Sequence, residues 1–592
     1  MKNKLYQALL LIFLVAGISS CDYLDIVPDE RPTEEDAFKD KNAAERYLYS
    51  CYAFMPKERE GCYLYQGGDC LTDYDRKFLE GTHTAANIGD FAYWSRMYAG
   101  IRRCYTLINN VDAVPRMEEE LKIIYKAEAN FLIAYYHFML LRAYGPIIIM
   151  DHEVSVSSTE KLKRSPFDVC VKWIADKYDE ACNNGLLAVQ SSSYYGRATQ
   201  LAAKALKARL YLYAASPLFN GNSFYANSSL YDPETNEPLM PLDYNPSKWN
   251  TALTACQEAL TLADEQKYTQ FQIANESEIP EECWPKDLIQ YALKMQIMDK
   301  KNMEVIWADT RTEGVYGPQN QSAPRDPVNG GNSWNGVGPT LDFVKVFYTE
   351  NGLPIDEDPK YYTPDDYFKI GQYEGRTTCN LNLKREPRFY SWVSFHNGYF
   401  EMQREGYNEG RIVTMFRKSD NHGKQNRSTD FSLSGYLVKK WCTPTYDTRN
   451  GFQNYPWPVI RLGELYLNLA EAAAEAGELN IAKTALNKIR EHAGIPTVEK
   501  SWEGIATLTK DKLIEIIREG HYRWDMARWK ELEHVLGHNP SALNTDGVSD
   551  EDFFRPVVVD RAWKFTSPTH YLLPIADSEL NKNTLIVQNP GY

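Results

Sequence analysis

The 592-residue sequence lacks an excess of positive charge. It carries 65 lysine and arginine residues against 80 aspartate and glutamate residues, which gives a formal net charge of −15. A chain this acidic has no electrostatic footprint for nucleic acid, whose phosphates are bound mainly by lysine and arginine. It would also be repelled by anionic membrane surfaces. The charge balance therefore excludes nucleic-acid binding as the main function.

The sequence also lacks the motifs of common enzymes and metal sites. It contains no His-Glu-x-x-His, no Gly-x-x-x-x-Gly-Lys-Ser/Thr and no Gly-x-Ser-x-Gly. Its eleven cysteines are scattered without a Cys-x-x-Cys pair or a His-Cys cluster, so zinc and redox chemistry are unsupported. We expect the cysteines other than Cys21 to be mostly buried free thiols. The acids at 356–358 and 365–366 lack the glycine and terminal glutamate of a calcium loop, which favours solvated acidic loops. We expect no metal and no cofactor.

A long apolar run that could cross a membrane is absent as well. The most apolar internal region, residues 123–149, is interrupted by Lys126, Glu128, His137 and Arg142. At the amino terminus, two lysines precede a short apolar run at 9–15 and small residues at 16–20, which is the layout of a secretory signal over residues 1–20. Ser-Ser-Cys at 19–21 resembles a bacterial lipobox. We therefore expect export and lipidation of Cys21.

Helical periodicity is strong in the first third of the chain. Segments 34–54, 91–111, 118–144, 167–181, 198–215 and 249–263 are predicted to be helices. In the segment 198–215, alanines recur at 198, 202, 205 and 208, and such small side chains let neighbouring helices approach closely. Residues 461–490 show the same pattern in two predicted helices joined at Gly477, and this unit resembles a tetratricopeptide hairpin. The sequence thus predicts several packed helix pairs.

Between about residues 216 and 455 the periodicity fades, and glycine, proline, asparagine and aromatic residues dominate. Residues 304–307 are predicted to form a short strand. We expect an amino-terminal helical part at 21–215, an irregular lobe at 216–455 and a carboxyl-terminal helical part at 456–592. Ligand-binding groups are expected in the irregular lobe, because long loops set on a rigid scaffold commonly carry them.

Several segments together resemble the SusD/RagB family of surface lipoproteins. The first is the helix from Ala-Glu-Ala at 127–129 to Tyr-Gly-Pro at 144–146. The middle of the chain contributes Gly-Pro-Thr-Leu-Asp-Phe-Val at 338–344, Asn-Gly-Leu-Pro-Ile at 351–355 and Arg-Glu-Pro-Arg-Phe-Tyr at 385–390. The last part contributes Ile-Arg-Leu-Gly-Glu-Leu-Tyr-Leu at 460–467 with Ala-Glu-Ala at 470–472, Arg-Glu-Gly-His-Tyr-Arg-Trp-Asp at 518–525 with Arg-Trp at 528–529, and Leu-Pro-Ile at 573–575 with Gln-Asn-Pro-Gly-Tyr at 588–592. Glu386 departs conservatively from the family's aspartate, and the 518–529 stretch has one residue fewer than its pattern. The order of these motifs spans nearly the whole chain after residue 20.

This resemblance implies an all-α dominated fold, with a tetratricopeptide-like scaffold of helix pairs and a large loop-rich second lobe. It implies attachment to the outer face of the outer membrane through the lipid anchor. It also implies a partner, a SusC-like TonB-dependent transporter, over which the protein lies as a hinged lid. The ligands implied are usually glycans and in some members peptides, and the implied function is capture without catalysis.

Exposed aromatic residues beside amides and charges are the best sequence signal for a glycan site, because sugar rings offer an apolar face and hydroxyls. Two segments have this composition, 63–76 and 311–335. The predicted ligand-binding residues are Trp334, Tyr316, Asn332, Arg325, Tyr74, Asp73, Arg76 and Tyr65. Trp334 is the first choice, because Gly-Asn-Ser-Trp-Asn-Gly leaves it few neighbours. Core packing or contact with the transporter is an equal alternative for any one of them.

Arg461, Arg523 and Arg528 lie among aromatics and acids, which favours buried ion pairs and cation–π contacts over ligand binding. Three other functions stay open at this point. A lid for peptides would need a groove offering backbone partners, and a surface glycoside hydrolase would need a specific carboxylate pair that no motif marks. A purely structural assembly protein would bind no small ligand.

Overall fold

The computed structural model describes residues 34–57, 67–74, 77–89, 92–155, 158–299, 302–311, 316–325, 333–403, 410–446, 453–518 and 523–592. The predicted signal, Cys21, Tyr65, Arg76 and Asn332 lie outside these residues. The α-helices within them are, in chain order, α1 (Glu34–Ala37), α2 (Lys41–Tyr52), α3 (Tyr93–Asn110), α4 (Glu119–Tyr144), α5 (Phe167–Asn183), α6 (Gln200–Ala215), α7 (Ser247–Glu265), α8 (Leu288–Met295), α9 (Tyr316–Ser322), α10 (Leu341–Val346), α11 (Pro387–Trp392), α12 (Leu462–Ala476), α13 (Leu479–His492), α14 (Val498–Ser501), α15 (Lys510–Arg518), α16 (Arg523–Arg528), α17 (Leu532–Leu536), α18 (Asp550–Phe553) and α19 (Asp577–Lys582).

The strands of the described residues are short and pair in twos, always antiparallel. They are β1 (Cys70–Leu71), β2 (Val305–Asp309), β3 (Gly338–Pro339), β4 (Ile370–Tyr373), β5 (Arg376–Cys379), β6 (Val393–Ser394), β7 (Tyr399–Glu401), β8 (Arg411–Val413), β9 (Leu437–Val438), β10 (Trp457–Arg461), β11 (Ser541–Leu543) and β12 (Pro556–Val558). The pairs are β1 with β3, β2 with β10, β4 with β5, β6 with β9, β7 with β8 and β11 with β12. The fold is therefore mostly helical, with small sheets confined to loop-rich regions.

The long helices form one continuous row of packed neighbours. Helix α3 packs on α4, α4 on α5, α5 on α6, α6 on α7, α7 on α12, and α12 on α13. The alanines predicted to permit close approach, Ala202, Ala205 and Ala208, are fully buried in α6. The row joins the amino-terminal helices to the carboxyl-terminal pair, and a single apolar core runs through both. The predicted helix pairs are confirmed, whereas the domain boundaries at 215 and 455 stay a prediction.

Side-chain caps decide where the predicted helices begin. Thr199 is extended, and its hydroxyl accepts a hydrogen bond from the Ala202 amide, so α6 starts at Gln200. The expected single helix at 34–54 is wrong, because Asp40 is extended and its carboxylate accepts from the Ala43 amide. This cap opens a new helix and separates α2 from α1. Between α12 and α13, Gly477 ends the first helix in the left-handed conformation, at φ 89°.

The irregular lobe has an apolar core of its own, which is rich in aromatic side chains such as Phe389, Phe395 and Tyr436. The expectation of a solvated acidic loop at 356–358 is wrong for Asp358, which is only 6% exposed. Its carboxylate accepts hydrogen bonds from the Thr349 hydroxyl and the Asn351 amide. Asp358 thus links neighbouring residues of the lobe, whereas Asp356 and Asp365 are exposed.

The described cysteines are all free thiols, and all except the half-buried Cys182 are buried, as predicted. Among the described helices, none combines the length and apolar composition needed to cross a membrane. The described residues also contain no group of three or more potential metal ligands.

A buried ion pair ties the carboxyl-terminal segment to the helix row. Arg528 of α16 donates two hydrogen bonds to Glu471 of α12, at 2.7 and 2.5 Å, and both side chains are 2% exposed. Arg528 also donates to the Ser216 hydroxyl at the end of α6, and the Trp529 indole donates to Glu471 at 2.6 Å. The prediction that Arg528 serves packing is confirmed. Arg461 forms an ion pair with Glu304, and the guanidinium of Arg523 makes a cation–π contact with Phe78, which are the two kinds of contact predicted for these arginines.

His137 is a fully buried histidine in the middle of α4. Its Nδ1 lies 2.8 Å from the Ile133 carbonyl oxygen, and its Nε2 accepts the Met150 amide at 3.1 Å. The first contact requires a proton on Nδ1 and the second requires none on Nε2, so the ring is held neutral. Burial lowers its pKa to about 4.

Replacing Glu471 by alanine is expected to destabilise the fold by about 3–5 kcal/mol, because the buried Arg528 would lose both hydrogen bonds to its buried carboxylate and keep only the partly exposed Asp525 as a charged partner. Urea unfolding, compared with the wild type, measures the loss. The matched control is Asp176→Ala, which removes an ion pair with Lys172 whose side chains are 61% and 77% exposed. Its expected cost is below about 1 kcal/mol. Equal costs for the two variants would contradict the role assigned to Glu471.

The neutral state of His137 predicts a loss of stability in acid. The unfolded chain takes up a proton near pH 6.5 and the folded chain only near pH 4, so the contribution of His137 is full above pH 6.5 and declines below it. The decline reaches about 3 kcal/mol at pH 4. His83, His396 and His570, whose pKa values burial also lowers, add to the same trend. Chemical unfolding at pH 7, 6, 5 and 4 is expected to show a shallower decline for His137→Gln. The exposed His538→Gln is the control, and an unchanged slope in His137→Gln would contradict the assignment.

Candidate functional site

Two segments far apart in sequence meet because their strands pair. Cys70 of β1 lies opposite Pro339 of β3, and Leu71 lies opposite Gly338. The Thr340 amide also donates to the Asp69 carbonyl oxygen at 2.9 Å. Tyr74 follows β1 within a few residues, and Trp334 precedes β3 within a few residues. The pairing therefore brings the two predicted ligand-binding segments together.

Four partly exposed side chains form one surface here, which we call the platform: Tyr74, Trp334, Arg325 and Asp430. The rings of Tyr74 and Trp334 are 5.7 Å apart between centroids and inclined by 52°. The Tyr74 hydroxyl donates to Asp430 Oδ1 at 3.1 Å. Arg325 Nη2 lies 3.5 Å from Asp430 Oδ2. Two aromatic faces thus lie beside a carboxylate and a guanidinium.

The backbone fixes the Trp334 side of the platform. The amides of Trp334, Asn335 and Gly336 donate to carbonyl oxygens of residues 320, 323 and 321, in or just after α9. Asn335 adopts a positive φ of 54°, and its side-chain amide donates to the His422 carbonyl oxygen. These bonds hold the loop at 333–336 against α9 and present the indole at the surface.

Gly336 permits the close approach of the Tyr74 ring. A Cβ atom at residue 336 would lie 2.7 Å from the Tyr74 hydroxyl oxygen and 2.9 Å from a ring carbon. Real side chains do not tolerate such contacts, so any larger residue would displace the phenol. The glycine is therefore part of the reason why the two rings meet.

Electrostatics at the platform depend on Asp430. Burial, followed by the charge of Asp430 and its hydrogen bond, raises the pKa of the Tyr74 hydroxyl well above its usual value. The phenol consequently stays a hydrogen-bond donor. Asp430 itself has a positive φ of 57°, in the left-handed region that non-glycine residues adopt rarely. Such strain is common where a side chain is held for binding.

Sequence reasoning identified some of these residues and missed others. The structure joins Tyr74, Trp334 and Arg325, whereas Asp73 is turned to Arg561, to which it is bonded at 2.8 Å. Tyr316 begins α9, and its side chain is outside the described residues. Asp430 was missed, because it lies in an ordinary polar stretch at 424–430 that carries no motif. Only its contact with Tyr74 identifies it.

Comparisons by family model, by sequence and by structure all find SusD-like proteins. Residues 298–592 match the family model described as SusD family, and residues 71–212 match the one described as starch-binding associating with outer membrane. The structure is similar to that of a protein named BT4246, with a TM-score of 0.80 and 29% identity over 93% of this chain and 100% of that one. It is also similar to a SusD-like protein of Bacteroides fragilis, with a TM-score of 0.73 and 22% identity over 95% of this chain and 100% of that one. A SusD-like protein of Formosa agariphila is 18% identical over the whole of both chains.

Proposed function

We propose that this chain, which belongs to the SusD family, captures oligosaccharides or polysaccharides at the cell surface and delivers them to a SusC-like TonB-dependent transporter as its lid. Proteins of this family bind their ligands without catalysis. One of the two matching family models is described as associating with the outer membrane, which supports a location there. Lipidation of Cys21 would hold the chain on the outer face of that membrane.

The observation that supports a glycan ligand is the platform. A sugar ring has an apolar face of C–H groups that packs on aromatic rings, and Tyr74 and Trp334 offer two such rings. Its hydroxyl groups both donate and accept hydrogen bonds. Asp430 offers carboxylate oxygens as acceptors, and Arg325 offers guanidinium donors. The same four side chains would thus contact both the apolar face of a sugar ring and its hydroxyl groups.

Magnitudes favour weak binding of short sugars and tighter binding of long ones. A stacked ring that removes about 60 Å² of apolar surface from water contributes roughly 1.5 kcal/mol. The two contacts that Tyr74 and Trp334 offer, together with a few net hydrogen bonds, give about 5–6 kcal/mol. Association costs at least about 4 kcal/mol, which leaves millimolar or weaker affinity for one short sugar. Polymers that engage several subsites would bind more tightly, and weak capture suits a protein that must release its cargo.

Trp334→Ala is expected to weaken binding of the preferred polysaccharide about tenfold, because one stacking surface is lost. Affinity electrophoresis of residues 22–592 through gels that contain different polysaccharides measures the effect as reduced retardation. Retardation of the wild type by one glycan, without hydrolysis, is the expected result. If no glycan retards the wild type, or if Trp334→Ala is retarded equally, the proposed site is wrong.

Gly336→Ala is expected to weaken the same retardation with Trp334 still present, because the new methyl group displaces the Tyr74 ring. Gly317→Ala is the matched control, since a Cβ atom there meets no described residue outside its chain neighbours closer than 3.9 Å. Both variants add one methyl group within the same loop-rich region. Equal retardation of the two variants would show that the position of Tyr74 does not matter for binding.

A further inference from the structure

A cavity of about 480 Å³ lies between the helix row and the irregular lobe. The helix row contributes Leu467 of α12 and Leu486 of α13 to its wall, and the lobe contributes Phe343 of α10, Trp392 of α11 and Lys440. Small-molecule sites in proteins usually measure about 300–1,000 Å³. This inter-lobe cavity is therefore large enough for a small ligand, and it is not the platform, none of whose four residues lines it.

Tryptophan is abundant in the wall of the inter-lobe cavity. Trp392, Trp441, Trp457 and Trp524 all line it, and each except Trp441 is partly exposed. The Trp392 indole donates to the Leu293 carbonyl oxygen at 3.0 Å, which fixes the orientation of its ring. Partly exposed indole rings beside a cavity offer apolar faces to a flat or ring-shaped ligand.

The charge of the wall is opposite to that of the whole chain. Eight lysine and arginine residues line the cavity against six aspartate and glutamate residues, although the chain carries a net charge of −15. Most of the acids are engaged by arginines, as in the pairs of Arg209 with Glu464 and Arg388 with Glu386. Arg142 lies over the Trp524 ring at 4.3 Å. The wall thus combines an excess of cations with aromatic faces.

Lys440 lies beside the face of a tryptophan that lines the cavity. Its ammonium group lies 4.1 Å from the centre of the Trp392 ring. The pairing of β6 with β9 continues through the Lys439 amide, which donates to the Trp392 carbonyl oxygen at 2.8 Å. The Lys439 side chain turns away to pair with Glu401 at 2.8 Å. Alternation along an extended chain therefore directs Lys440 to the other side, where the cavity lies.

The charges near Lys440 are two arginines and one carboxylate. Burial, followed by the charges of Arg461 and Arg388, lowers the pKa of Lys440 to about 7, and the charge of Asp69 acts in the opposite direction. Both arginines also line the cavity. An anion bound beside Lys440 would favour the charged state of this lysine, because an opposite charge within a few ångströms stabilises the ionised form.

We propose that the inter-lobe cavity binds an anionic monosaccharide, a uronate or a sulfated hexose, with its ring on Trp392 and its charged group against Lys440. The excess of cations selects the charge, and the tryptophans select a ring with an apolar face. The cavity and the platform are separate sites, so either can fail without the other.

Isothermal titration calorimetry of the purified chain with galacturonate, galactose and inorganic sulfate tests the proposal. Galacturonate is expected to bind at least about tenfold more tightly than galactose, since its carboxylate adds a charge-assisted hydrogen bond to Lys440. Lys440→Gln is expected to remove this preference and Lys440→Arg to keep it. Lys172→Gln, which removes an exposed lysine of α5, is the control and is expected to bind as the wild type does.

Equal binding of galactose and galacturonate would overturn the proposal, as would an unchanged preference in Lys440→Gln. Sulfate binding as tight as galacturonate binding would overturn the assignment of a sugar ligand. Trp334→Ala is expected to show reduced polysaccharide retardation and to keep galacturonate binding, which separates the two sites. If Lys440→Gln fails to fold, the tryptophan fluorescence of Trp334→Ala is measured instead, with galacturonate and with galactose. A change in fluorescence with galacturonate but not with galactose supports the cavity site. The same fluorescence response to both sugars overturns it.

Discussion

The pairing of Arg528 with Glu471 inside the scaffold is the contact on which the arrangement of the other elements depends. A buried pair of this kind gains little free energy, since removing two charges from water costs about as much as their attraction returns. The contribution of the pair is geometric, because its two parallel hydrogen bonds fix the distance and the orientation of α16 against α12. Ser216 and Trp529 complete the set, so the end of α6 and the carboxyl-terminal segment are fixed at the same point. The carboxyl-terminal segment is thereby attached to the helix row at α6 and α12.

The rigid row gives the irregular lobe a fixed base. Strands β2 and β10 pair beside the start of α12, where Arg461 reaches Glu304. Residues 305–309 and 457–461 are thus joined at the scaffold, and the part of the lobe between them has its own aromatic core. Long loops held at both ends can present side chains precisely without regular secondary structure.

One apolar cluster, which we call the partition, borders both proposed binding regions. Cys70, Val438 and Trp441 belong to it and line the inter-lobe cavity. Tyr74 of the platform packs against the same cluster. Closely packed side chains transmit displacement. A change in the partition would consequently reach both surfaces.

The amino-acid sequence by itself determined the helices and their pairing, because periodicity, alanine spacing, threonine caps and Gly477 act over a few residues. It also determined family membership through ordered motifs, and it marked Tyr74, Trp334 and Arg325 through local composition. The break before α2 was missed, since Asp40 serves as a cap only in its extended conformation. Asp430 and the inter-lobe cavity were decided by the tertiary structure alone. Asp430 is more than 350 residues from Tyr74, and the cavity wall combines residues from 67 to 528, so no local pattern encodes either. Contacts at such separations arise only when the short pairing of β1 with β3 and the attachment of the carboxyl-terminal segment to the helix row bring distant segments together.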